Sequence, residues 1–139
     1  MSTEQNKAID RRFYELLLTG DLSVADEIVA LNYVNNNPAP GETPGREGVK
    51  GFATLFSKAF PDLRVNLEDQ IAEGDLVVSR FTTSGTHQGE FAGVPATGKP
   101  VKMTGIGIHR ITGGQIQEGW LNFDALGMMQ QLGVIPGGP

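Results

Sequence analysis

Three side chains in this sequence are suited to moving protons: the carboxylate of Asp124 and the imidazoles of His87 and His109. Asp124 ends a strand-like run that carries Ile116, Trp120, Leu121 and Phe123. Period-two alternation turns it inward, and a buried carboxylate must be paired, hydrogen-bonded or protonated, each of which alters its proton affinity. That makes Asp124 an acid/base candidate. Asp is also a favoured N-cap, and a helix starting at Ala125 would use it as one. Both readings are open at this level. His87 borders a Gly/Pro-rich stretch and His109 lies in the preceding strand-like run, so each is a candidate for orienting a carbonyl or tuning Asp124, and each also fits a structural role.

Other residues could hold a small apolar molecule. Phe52, Phe56 and Phe60 recur four apart, and Tyr14, Phe81, Met103 and Trp120 add further apolar surface, either as cavity wall or as core. Asn36 and Asn122 offer amides that could bind substrate oxygens. With no cysteine there is no disulfide or thiolate nucleophile. Two histidines on different strands, without a ligand spacing, give no basis for a metal, and the glycines between Gly89 and Gly98 match no phosphate-binding pattern. No cofactor is expected.

These residues must be positioned by a chain of 139 residues that is 39% hydrophobic, enough for one domain, read here as residues 1–136 with a flexible tail at 137–139. The net charge of −5 and scattered Lys and Arg argue against nucleic acid. No run approaches the ~20 apolar residues of a membrane span, and the first residues lack the features of a signal peptide. A soluble, cytoplasmic protein binding a hydrophobic or aromatic small molecule is expected.

Helical spacing of Ile9, Phe13, Leu16 and Leu17 predicts a first helix capped by Thr3 and ended by Gly20. Ser23 opens a second to about Ala30, followed by turn-rich Asn35–Gly41, and Arg46 to Phe60 forms a third, stopped by Pro61. From Leu63 the period is two, predicting strands over about 63–73, 75–86, 100–111 and 115–124, with turns at Glu73-Gly74 and Gly113-Gly114. A short helix closes the chain at 125–133. Helices first and strands after indicate α+β, with a largely antiparallel sheet.

A two-residue turn at Gly113-Gly114 sets Ile111 opposite Ile116, His109 opposite Glu118, Gly107 opposite Trp120, Gly105 opposite Asn122 and Met103 opposite Asp124. On that register Met103, His109, Glu118, Trp120, Asn122 and Asp124 share one face. Thr104, Ile106, Ile108, Leu121 and Phe123 share the other, whose apolar character predicts a homodimer through the outer sheet face. Phe81 and His87 are expected inward.

The segments Tyr33–Gly41, Phe60–Arg64, Ala72–Val78, Gly85–Gly98 and Trp120–Leu132, with Asp124-Ala-Leu-Gly127, resemble the SnoaL-like polyketide cyclase, or ester cyclase, family within the nuclear-transport-factor-two-like superfamily. The resemblance spans nearly the whole chain. It implies a cone-shaped α+β barrel, a curved, mostly antiparallel sheet wrapped around N-terminal helices, and frequent dimers. It also implies cofactor-independent aldol-type ring closure on a polyketide-like molecule, with an aspartate late in the last strand, matched here by Asp124, as general acid/base. The chain departs from the pattern at Asn36 and Gly119, where relatives often carry His. The same fold hosts epoxide hydrolases, isomerases and non-catalytic ligand binders, so fold alone does not fix chemistry.

Overall fold

The computed structural model describes residues 2–135, so the tail expected at 137–139 lies outside the described residues. The strands are β1 (Val29–Asn35), β2 (Arg64–Glu73), β3 (Leu76–Thr86), β4 (Pro100–Thr112) and β5 (Gln115–Phe123). They form one sheet in the order β1-β5-β4-β3-β2. β1 runs parallel to β5 and the other pairs are antiparallel. The helices are α1 (Thr3–Thr19), α2 (Leu22–Ile28), α3 (Arg46–Ala59) and α4 (Ala125–Leu132). The architecture is the expected α+β fold with a curved, mostly antiparallel sheet. No helix among the described residues is long and apolar enough to cross a membrane.

Helix α1 begins at Thr3, so its cap is one residue earlier than expected. Ser2 accepts from the Gln5 backbone N–H while the Gln5 side chain accepts from the Ser2 N–H, a reciprocal capping box. Its buried residues include Asn6, Asp10, Phe13, Tyr14 and Leu17, a helical stripe with a carboxylate in the middle. Asp21, not Ser23, caps α2, which stops at Ile28 because Val29 already pairs with β5. The sequence reading contains no strand at 29–35. That strand places Tyr33 against the core.

The β4–β5 turn is the two-residue connection expected, with Gly113 and Gly114 at φ of 60° and 80°, values that suit a tight hairpin and that glycine adopts without strain. Ile111 does face Ile116, but the next pair is Arg110 with Glu118, leaving Gln117 as an extra residue. This bulge inverts every later side chain of β5. His109 lies opposite Gly119 rather than Glu118. Gly119, Leu121 and Phe123 therefore share the inner face with Met103, Gly105, Gly107 and His109. Trp120 and Asn122, expected inside, pair with Ile108 and Ile106 and lie on the outer face.

Two apolar clusters hold the helices to the sheet. One contains Phe13, Tyr14, Ile28, Tyr33, Val77, Phe81 and Ile116; the other contains Phe56, Phe60, Phe91, Met103, Met128 and Leu132. Phe52 packs against both. Each fully buried large side chain contributes about 1.5–3 kcal/mol by leaving water.

Candidate active site

A cavity of about 360 Å³ opens where the two clusters meet, within the ~300–1,000 Å³ range usual for small-molecule sites. Phe52, Leu55, Phe91, Met128 and Met129 form an apolar wall supplied by α3, α4 and the β3–β4 connection. Facing it are Tyr33, Asn35, Asn37 and Glu42 from β1 and the loop after it, while Phe13, His109, Leu121 and Phe123 complete the lining from α1 and the inner sheet.

His109 is 1% exposed, and its Nδ1 lies 2.6 Å from Oδ1 of Asp10, a residue with no exposure at all. The other Asp10 oxygen accepts hydrogen bonds from Ser79 Oγ and, at 2.9 Å, from Gln70 Nε2. Arg11 donates to Gln70 Oε1 at 2.7 Å, which fixes the amide so that its NH2 faces Asp10. A carboxylate surrounded by donors is an acceptor, so the His109 proton sits on Nδ1 and the lone pair on Nε2. Among the described residues His109 has no hydrogen bond through Nε2. The arrangement leaves a proton acceptor at an apolar cavity, held in orientation by a buried carboxylate.

The glycines of the inner sheet make this packing possible. A Cβ at Gly107 would stand 2.3 Å from the Tyr14 hydroxyl, and one at Gly105 would stand 2.4 Å from the Phe81 ring. A Cβ at Gly119 would stand 2.1 Å from the Tyr33 hydroxyl and 2.9 Å from His109 Cδ2. The backbone opening at Gly119 is thus filled by a phenol and the edge of an imidazole. Burial, with the carboxylates of Glu42 and Glu118 nearby, pushes the Tyr33 phenol far above its ordinary pKa. Tyr33 is therefore a donor throughout the physiological range.

Of the residues singled out from sequence, His109 and Phe52 line the cavity. Asp124 is exposed and caps α4, its Oδ1 accepting from Gly127 N–H at 2.9 Å. His87 is fully buried at the end of β3, with Nδ1 3.0 Å from Thr97 Oγ1 and its ring against Phe60. Asn36 is exposed and donates to Glu118 Oε2 and the Gly119 carbonyl, tying β1 to β5. Tyr14, Phe56, Phe81 and Met103 are core residues behind the lining. Trp120 and Asn122 are on the far side of the sheet. Asp10, Tyr33, Gln70 and Ser79 were not anticipated. Asp10 had a readable signal, since it falls on the same helical stripe as Phe13 and Leu17.

Residues 7–132 match the family description "SnoaL-like polyketide cyclase". Aklanonic acid methyl ester cyclase DnrD of Streptomyces peucetius is 32% identical over 130 residues, covering 88% of this chain and 87% of that protein. The solved structure of TsrD from Streptomyces laurentii superposes with a TM-score of 0.89 at 28% identity, covering 97% of this chain and 99% of TsrD. Wild-type IdmH from Streptomyces antibioticus gives 0.79 at 36% identity, covering 93% and 99%.

Proposed function

The chain belongs to the SnoaL-like polyketide cyclase family, and on that premise we propose that it closes a ring by an intramolecular aldol reaction with His109 as general acid/base. The observation that carries this reading is the buried Asp10–His109 pair at the cavity wall. In the first step His109 Nε2 takes a proton from a carbon next to a carbonyl; the C–H electron pair moves into the carbonyl and an enolate forms. The enolate carbon then attacks a second carbonyl of the same molecule. The electron pair displaced onto that oxygen collects the proton from Nε2, and His109 returns to its starting state. No atom is gained or lost. Asp10 faces the cationic imidazole between the two steps and holds the ring in place.

This assignment takes the acid/base role away from Asp124, whose oxygens are turned to the helix terminus. The cavity's aromatic and Met lining suits a fused-ring polyketide, and the name of the DnrD relative supplies a first compound, aklanonic acid methyl ester. Wild-type protein is expected to convert it to a ring-closed isomer of unchanged mass, followed by chromatography and mass spectrometry. His109→Gln should be inactive while still binding the ester; ring closure by that variant at the wild-type rate would remove His109 from the mechanism.

A homodimer through the outer sheet face is part of the same proposal. Ile71, Ile106 and Val34 are 66%, 51% and 50% exposed there, beside the half-buried Trp120. Sedimentation should give a dimer that Ile106→Lys converts to monomer, and a monomeric wild type would refute it.

A further inference from the structure

Resting on that reading of His109, we infer that Tyr33 is a second catalytic residue, whose hydroxyl donates a hydrogen bond to the enolate oxygen formed when His109 removes the proton. Three observations carry this. The Tyr33 hydroxyl and His109 Cδ2 lie 2.1 and 2.9 Å from one point, the place a Cβ would occupy at Gly119, so the phenol oxygen and one edge of the imidazole converge there, and both residues line the cavity. A single substrate carbonyl unit, with its oxygen at Tyr33 and its adjacent C–H at His109 Nε2, fits that juxtaposition.

The second observation is one of engagement. Asn35 Nδ2 donates to Glu42 Oε2 at 2.8 Å, and Asn35 Oδ1 accepts from the Asn37 backbone N–H at 2.9 Å. Asn37 Oδ1 accepts from Leu121 N–H at 3.1 Å. Among the described residues the Tyr33 hydroxyl has no such partner, and unlike the unpaired Tyr14 hydroxyl it is not fully enclosed. An unpaired hydroxyl that is still reachable, on a residue lining the cavity, is free to donate to a substrate oxygen there.

The third is protonation. The phenol is held neutral by burial and by neighbouring carboxylates, which suits a donor and not a base. It keeps its proton throughout: the oxygen gains negative charge, the O–H bond stays intact, and the hydrogen bond strengthens as the charge develops. Such an interaction acts on the transition state more than on the bound substrate.

Tyr33→Phe keeps the ring and its packing and removes only the oxygen. With aklanonic acid methyl ester, kcat should fall about 10²–10³-fold, the usual effect of losing one donor to a developing oxyanion, with KM little changed. Benzoylacetone gives a readout independent of turnover, since its enolate and neutral forms absorb differently. Wild type should bind the enolate in preference to the neutral diketone, and Tyr33→Phe should lose about 10–100-fold of that preference.

Wild-type turnover by Tyr33→Phe, or an unchanged enolate preference, overturns the inference. If His109→Gln is inactive in the same assays while Tyr33→Phe is normal, only Tyr33 loses its role. If His109→Gln is fully active, the base assignment falls and takes this inference with it.

Discussion

His109 and His87 are buried to the same degree, at 1% and 0% exposure, yet their rings are held in opposite senses. His109 presents Nδ1 to a carboxylate that can only accept, which leaves its Nε2 lone pair for the cavity. His87 presents Nδ1 to the Thr97 backbone N–H at 3.2 Å, a group that can only donate, so its proton must sit on Nε2. That Nε2 is enclosed and, among the described residues, has no partner. One histidine offers a base to a cavity; the other fastens the connection between β3 and β4 and offers nothing outward. Residue type and burial do not separate the two. The atom facing Nδ1 does.

The sharpest way to break this comparison is to replace each imidazole in turn. His109→Gln should lower kcat by about 10²–10⁴-fold, the usual range for loss of a general acid/base. His87→Gln should leave kcat near wild type and lower the unfolding midpoint. Equal losses of activity would mean that the enclosed ring also serves the reaction.

Removing the carboxylate behind His109 should show chiefly in stability. Asp10→Ala strips the partner from three donors at once and should cost about 3–5 kcal/mol in urea unfolding, the scale for breaking a buried pair. Asp10→Asn keeps the shape, so it should fold better than Asp10→Ala and still lose turnover. Normal turnover in Asp10→Asn would detach Asp10 from the positioning of His109.

A smaller effect is expected at the carboxylate that stands out in the sequence. Asp124→Ala should cost about 0.5–2 kcal/mol through the lost N-cap and leave ring closure intact. Inactive but stable protein would return the acid/base role to Asp124.

The two tyrosines add a pH test. Both are buried and both phenols are pushed up by desolvation first, then by neighbouring charges. A group whose folded pKa is raised contributes stability that is complete below its unfolded value and is lost as pH rises towards the folded one. Native protein should therefore show no tyrosinate absorbance near the ordinary phenol pKa of about 10, and should gain it on alkaline unfolding. Reversible tyrosinate formation in folded protein near that pH would show that a phenol is open to water.

Much of the fold is legible in the sequence because its signals are local. Four-residue spacing finds α3, period two finds β2 to β5, and Gly113-Gly114 finds their last hairpin. The site is less legible for two particular reasons. The bulge at Gln117 is one residue in one strand, yet it moves Trp120 and Asn122 to the outside and brings Leu121 and Phe123 in. β1 has no alternating pattern because its burial runs Val29, Ala30, then Tyr33, and it forms by parallel pairing with β5, a contact far away in sequence. Missing that strand means missing Tyr33. His109 was found, whereas its partner Asp10 was hidden in a stripe read only for its apolar members.

Nitrogen-15 NMR of the two imidazoles tests the central claim most directly, since the chain has only these two. With neutral rings and without ligand, His109 should carry its proton on Nδ1 and His87 on Nε2, and adding aklanonic acid methyl ester should perturb His109 Nε2 alone. A proton on Nε2 of His109, or a ligand response confined to His87, would contradict the account.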